Sequence, residues 1–146
     1  VEDILQLLEL RLTLKPTAAE LAALRHDDED RQRLETQHVA FSNAFAAKTQ
    51  AREEDYLFHF AIATATKNPF FQSFYKQWTQ GVIPRAKLLS IDINPISSER
   101  YLERVQEEHT YILEAILSRD AQAARETMFQ HLSRARNTYA QYREKK

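Results

Sequence analysis

The chain has no cysteine, one glycine and only four prolines in 146 residues. Without thiols, a disulfide framework or a thiolate metal site is excluded. So few turn-forming residues argue against a many-stranded sheet protein, and helices are expected to dominate. No stretch approaches the roughly 18 apolar residues that a membrane span needs, and no signal-peptide pattern opens the sequence. No membrane partner and a cytoplasmic location are therefore expected. An excess of charge is missing too. Twenty basic residues against 21 acidic ones leave a net charge of −1, with no basic block, so the footprint of a free-standing nucleic-acid binder is absent.

With 43% apolar residues, the chain reads as one domain over 1–146 that can bury a core of its own. It opens at Val1, already inside a helical pattern and without an initiator methionine, which suggests that an upstream segment is missing. Periodicity predicts helices almost end to end. The first runs from Glu2 to about Leu14, where Pro16 is expected to break it. Thr17-Ala18-Ala19-Glu20 has the form of a capping box that starts a short second helix ending near Arg25. Asp27 or Asp28 can cap a third, reaching Ala47, with Asp27 to Arg33 read as a solvated start. Thr49 can cap a fourth, ending near Lys67. Asn68-Pro69 is a restart signal, a capping side chain followed by proline at the first helical position. The fifth helix holds Phe70, Phe71, Phe74, Tyr75 and Trp78, aromatics read as core, and Gly81 with Pro84 predicts a kink. After a connector over Ile91 to Pro95, Ser97 or Ser98 opens the sixth helix and Asp120 caps the seventh. The fold class expected is an all-α antiparallel bundle of about six to seven helices.

Four polar residues stand out against this apolar patterning. In the sixth helix Leu102, Val105, Ile112 and Ile116 form the inner stripe, and His109 lies in the middle of it. In the seventh, His131 falls on the stripe of Ala124, Met128, Ala135 and Thr138. The turn between them centres on Arg119, ten residues after His109 and twelve before His131, so an antiparallel hairpin brings the two rings to nearly the same height. Asp55 and His59, four apart, share a face with Phe58, Ile62 and Thr66. A lone buried histidine is usually bonded to a carbonyl, and that is the reading for His26 and His38. Three imidazoles and a carboxylate facing one interior are satisfied together by one divalent metal. Arg11, beside the inner stripe formed by Leu7 and Leu8, calls for an anion.

The string Asp55-Tyr56-Leu57-Phe58-His59-Phe60-Ala61-Ile62, followed by Ala65-Thr66-Lys67-Asn68-Pro69 and then by Glu108-His109, Ile112, Ala115-Ile116, Asp120, Ala124, Met128 and His131-Leu132, resembles the effector-binding C-terminal (FCD) domain of GntR-type transcription regulators of the FadR subfamily. The likeness begins at Leu10-Arg11-Leu12 and covers nearly the whole chain. It implies a helical bundle with a central pocket holding a divalent metal on Asp55, His59, His109 and His131. A sugar acid or hydroxycarboxylate effector would bind at the metal and at Arg11, with Arg85 a weaker candidate contact. DNA would be read only by a winged helix-turn-helix domain absent from this chain, in a full-length homodimer. Two positions depart from the pattern: Lys67 stands where many relatives have glycine, and Lys15 where an acidic residue is common.

Zinc, nickel and manganese all suit three imidazoles and a carboxylate, and the net charge near +1 leaves room for an anion. Two other readings compete with a sensor. A metal-dependent hydrolytic enzyme needs a general base, and Glu107 and Glu108, directly before His109, are expected to point to other faces. A structural, metal-stapled interaction module accounts for the four ligands but not for Arg11.

Overall fold

The computed structural model describes residues 2–79 and 95–144. Six helices account for nearly all of them: α1 (Glu2–Arg25), α2 (Asp28–Ala46), α3 (Arg52–Ala65), α4 (Pro69–Thr79), α5 (Pro95–Leu117) and α6 (Ala121–Glu144). They form an antiparallel all-α bundle in which α1 packs most extensively on α6, α2 on α3, and α5 on α6. The expected kink at Gly81 and Pro84, most of the connector from Ile91, and Arg85 lie outside the described residues.

The main departure from expectation is at Pro16. Proline removes one backbone donor and crowds the preceding turn, at a cost of about 3 kcal/mol in a helix interior, yet α1 runs through it without interruption. Tertiary burial offsets that cost. Ala18, Ala19, Ala22 and Ala23 are all buried beyond the proline, Leu8 is buried before it, and Pro16 is itself among the fully buried side chains. Such small residues let the second half of α1 come close to its neighbours. Thr17 opens no second helix. Its hydroxyl donates to the Thr13 carbonyl within the continuous one.

Several helix ends follow their local chemistry. Asp27 caps α2 in a reciprocal box with Asp30. Asp30 is buried rather than solvated, and it meets Arg33 at 2.9 Å and Lys67 at 2.6 Å. Asn68 Oδ1 accepts from the Phe70 amide at the start of α4, and Asp120 Oδ1 accepts from Ala123 at the start of α6. Thr49 does not cap α3, which begins after Ala51 with φ 53° and no side-chain cap. Instead the Thr49 hydroxyl bridges the loop, donating to Ala44 and accepting from the Ala51 amide. The α5 helix already starts at Pro95, two residues before the expected serine. Lys67 has φ 60°, a left-handed conformation that favours glycine. Its ammonium reaches Asp27 and Asp30, both at 2.6 Å, and ties the end of α3 to the start of α2.

One core cluster joins Ala19, Leu34, Phe58, Ile62, Ile112, Ile116, Ala124 and Met128. Ile116 is fully buried there. Ile116→Ala should therefore lower the unfolding free energy by about 2–5 kcal/mol, the range for a large-to-small change in a packed core. Denaturant melts of the two proteins check this, with m unchanged if only packing is lost.

Candidate functional site

Asp55 and His59 come from successive turns of α3, His109 from the middle of α5, and His131 from α6. The α5–α6 hairpin turns at Ser118–Asp120, with Arg119 at φ 61°. The Arg119 guanidinium donates to the Ala23 and His26 carbonyls at the end of α1. It thereby closes the last turn of that helix and holds the hairpin in place. In this register the His109 and His131 rings lie 5.2 Å apart, His59 is 5.1 Å from His109, and His59 is 5.5 Å from His131.

All three imidazoles are buried, and their ligand nitrogens lie within 4.8 Å of one another. Asp55 Oδ1 is 3.0 Å from His109 Nε2 and 3.5 Å from His59 Nε2. Phe58 stacks on the His109 ring at 4.5 Å, and Phe41 meets it edge-on at 4.8 Å. This hydrocarbon wall excludes water. Burial holds His59 well below the usual imidazole range, and the Lys15 charge acts in the same sense against the pull of Asp55. The ring is therefore neutral at neutral pH, the form that offers a lone pair.

A carboxylate on the outer side fixes the third ring. Glu108 Oε1 accepts from His131 Nδ1 at 2.7 Å, and Arg134 donates to both Glu108 oxygens at 2.6 Å. With Nδ1 donating to the carboxylate, Nε2 is the nitrogen left to act as a ligand, the arrangement by which a carboxylate orients a metal-binding histidine. Burial by itself would raise Glu108, but its hydrogen bonds from Arg134 and His131 outweigh that and hold it down to about 2.

A cavity of about 200 Å³ adjoins the cluster between α1, α3, α4 and α6, and His59 and Met128 form part of its wall. Its lining is largely apolar, with Leu14, Ile62, Phe71 and Tyr75 among its residues. Lys15 also lines it, 8% exposed, its ammonium 4.4 Å from the centre of the Tyr75 ring. Burial lowers the Lys15 pKa far below that of a free lysine, Arg11 lowers it further, and Asp55 opposes both.

Asp55, His59, His109 and His131 are thus brought together. Arg11 is half-buried one turn before Lys15 on α1. His26 is buried and donates to the Ala22 carbonyl, while the His38 ring meets the Thr110 hydroxyl at 3.2 Å. The aromatic run does not form core throughout. Tyr75 is buried, but Phe70 and Phe74 are 71% and 47% exposed at the cavity's edge. Three contributors escape a reading of the sequence. A break at Pro16 would leave Lys15 at a helix end, whereas the continuous helix carries it on the inner stripe with Leu8, Ala19 and Ala22. Glu108 does not point away from the site: the α5–α6 packing brings its carboxylate to His131 and Arg134. The three-residue step from His131 to Arg134 is the one local signal for that pairing.

The sequence matches the FCD domain over residues 6–134, and the chain belongs to that family. The Uxu operon transcriptional regulator of Escherichia coli (strain K12) is 28% identical over 141 residues, covering 94% of this chain and 54% of the relative. The HTH-type transcriptional regulator LutR of Bacillus subtilis (strain 168) is 25% identical over 141 residues, with 97% and 64% covered. Among solved structures, Streptococcus agalactiae GntR is similar at a TM-score of 0.73 and 27% identity, over 92% of this chain and 58% of that one. E. coli McbR/YncC shares the fold at a TM-score of 0.78 and 20% identity, over 94% and 64%. The chain therefore spans between half and two thirds of the length of these curated relatives.

The Glu108 network has a pH signature. A carboxylate depressed in the folded state stabilises the fold fully above its ordinary value of 4.5, and that stability is lost as pH falls towards 2. Between those limits the melting temperature of the wild type should fall more steeply than that of Glu108→Gln. Parallel curves would show that Glu108 is not held by Arg134 and His131 in solution.

Proposed function

We propose that this chain is the ligand-sensing domain of a bacterial transcription regulator, binding a divalent metal and a small organic acid to control an attached winged-helix domain that reads DNA. One observation carries the reading: three buried imidazoles from three helices converge with Asp55 on one point. Membership of the FCD family and the regulator names of the relatives support it.

The donor set fits a divalent ion. Donors sharing an ion at about 2.1 Å lie roughly 3 to 4 Å apart, so only small side-chain shifts separate the observed spread from coordination. His59 Nδ1 is buried without a hydrogen-bond partner among the described residues, a costly arrangement unless something at the site uses the ring. Asp55, His59, His109 and His131 would hold the ion, and zinc, nickel and manganese each suit this set. When bound, the ion supplies positive charge in a water-poor centre, where it attracts a carboxylate. Arg11 is the proposed second contact for that carboxylate.

Sensing is then a matter of linkage. The site draws on three helices, with Arg11 on a fourth, so an occupant that favours one arrangement of the bundle shifts its population by the difference in affinity and no more. A homodimer in the full-length protein is part of the proposal. Hydrolysis is disfavoured by Glu108: held at about 2 by Arg134 and His131, it is a poor proton acceptor at neutral pH.

Elemental analysis of the purified chain should find about one divalent ion per molecule, and His109→Ala should lose it and melt at lower temperature. A wild type that takes up no zinc, nickel or manganese, and melts identically with and without them, would overturn the metal assignment. Arg11→Ala should keep its metal yet bind the acid more weakly by about 1.5–3 kcal/mol, the range for a hydrogen bond to a charged group. Calorimetry on metal-loaded protein tests that expectation, and equal affinities would remove Arg11 from the site.

A further inference from the structure

We infer that the effector is a monocarboxylic acid of about six to eight carbons in all, its body apolar, seated in the cavity between α1 and α4 with its carboxylate on the Lys15 Nζ. This rests on the sensor reading above, with Lys15 added to the metal and Arg11 as a further group on the carboxylate. It narrows the ligand to a class different from the sugar acids and hydroxy acids that the family resemblance implies.

The first support is the chemistry of the cavity wall. A polyhydroxylated acid needs a hydrogen-bond partner for each hydroxyl it brings out of water. Among the described residues the lining offers Leu14, Ala18, Ile62, Ala63, Phe71 and Met128, with polar side chains at Lys15, His59, Asn68 and the Tyr75 phenol. Hydroxyls on the guest's body would go largely unmatched. Size agrees with an apolar guest. An apolar cavity of about 150 Å³ accepts benzene, so one of about 200 Å³ holds a ring or a short chain and little more. Phe70 and Phe74, exposed at its edge, form an apolar entrance.

Lys15 is the second and independent support. Its side chain is more than nine-tenths buried, it lines the cavity, and its Nζ has no hydrogen-bond partner among the described residues. A lysine buried that deeply without a hydrogen bond is disfavoured in either charge state. An incoming carboxylate supplies the missing acceptor, while the Tyr75 ring already faces the Lys15 Nζ from one side. His59 shares the same wall, so the carboxylate end of the guest lies towards the histidine cluster and the body towards Phe71.

Calorimetry on the metal-loaded chain should compare hexanoate and benzoate with gluconate, lactate and hexanol. Hexanoate or benzoate should bind at least tenfold more tightly than gluconate and lactate. Hexanol, with the chain but no carboxylate, should bind far more weakly. Lys15→Met removes the charge at similar volume. It should retain metal content and helical signal while losing roughly tenfold or more in carboxylate affinity, the loss expected for one charge-assisted hydrogen bond. Ala63→Leu, which fills the cavity without touching a charge, should also abolish binding, so the inference stays testable if Lys15→Met folds poorly. Tighter binding of gluconate or lactate than of hexanoate would overturn the apolar-acid inference and leave the sensor reading standing. Hexanol binding as well as hexanoate, or unchanged affinity in Lys15→Met, would remove Lys15 as the carboxylate contact. Failure of every acid to bind would overturn the sensor reading as well.

Discussion

Three imidazole rings within 5.1–5.5 Å of one another in a hydrocarbon interior impose the constraint on which the rest of this bundle turns. Each ring brings two nitrogens out of water, and burial keeps His59 neutral by penalising its charged form. The rings meet only if α3, α5 and α6 keep a fixed rotation and height. One residue of slip turns a helical side chain by about 100°, enough to move any of these histidines off the shared point. The features that hold the register are therefore features of the site. The left-handed turn at Arg119, clamped to the end of α1 by two hydrogen bonds, sets the height of His109 against His131. The Phe58 ring stacked on His109 ties the position of α3 to that of α5.

The surroundings of the cluster are electrostatically divided. On one side Glu108 and Arg134 form a closed, bidentate pair that orients His131. On the other, Lys15 stands over the Tyr75 ring at the wall of a largely apolar cavity. Asp55 reaches both His59 and His109. An anion entering from the cavity therefore meets the Lys15 Nζ, whereas the Glu108 carboxylate is already paired with Arg134. This asymmetry gives a proposed effector one direction of approach.

The long first helix makes the arrangement possible. If α1 ended at Pro16, Lys15 would fray into a connection and the alanine-rich half would have to dock as a separate short helix. Packing of Ala18, Ala19, Ala22 and Ala23 keeps the helix continuous, so one rigid rod carries Arg11 and Lys15 past the site and ends at the Arg119 clamp. A comparable exchange occurs at Lys67. A left-handed residue that glycine would suit better keeps a side chain able to reach Asp27 and Asp30 across the α2–α3 junction.

Much was legible in the sequence because it depended on local rules. The all-helical class followed from a near absence of turn formers, the caps at Asp27, Asn68 and Asp120 from short polar side chains at helix starts, and the inward faces of Asp55, His59, His109 and His131 from a 3.6-residue period. Counting residues on either side of Arg119 was enough to bring His109 and His131 to one height. Tertiary structure decided what propensity could not. Pro16 stayed inside a helix because buried surface outweighed a local penalty. Glu108 reached His131 because two helices chose a packing angle. Lys15 became part of a cavity wall because α4 lies where it does. The physical reason is the same in each case: backbone preference is set by a residue and its near neighbours, while burial, ion pairing and cavities belong to elements that meet only after the chain has folded.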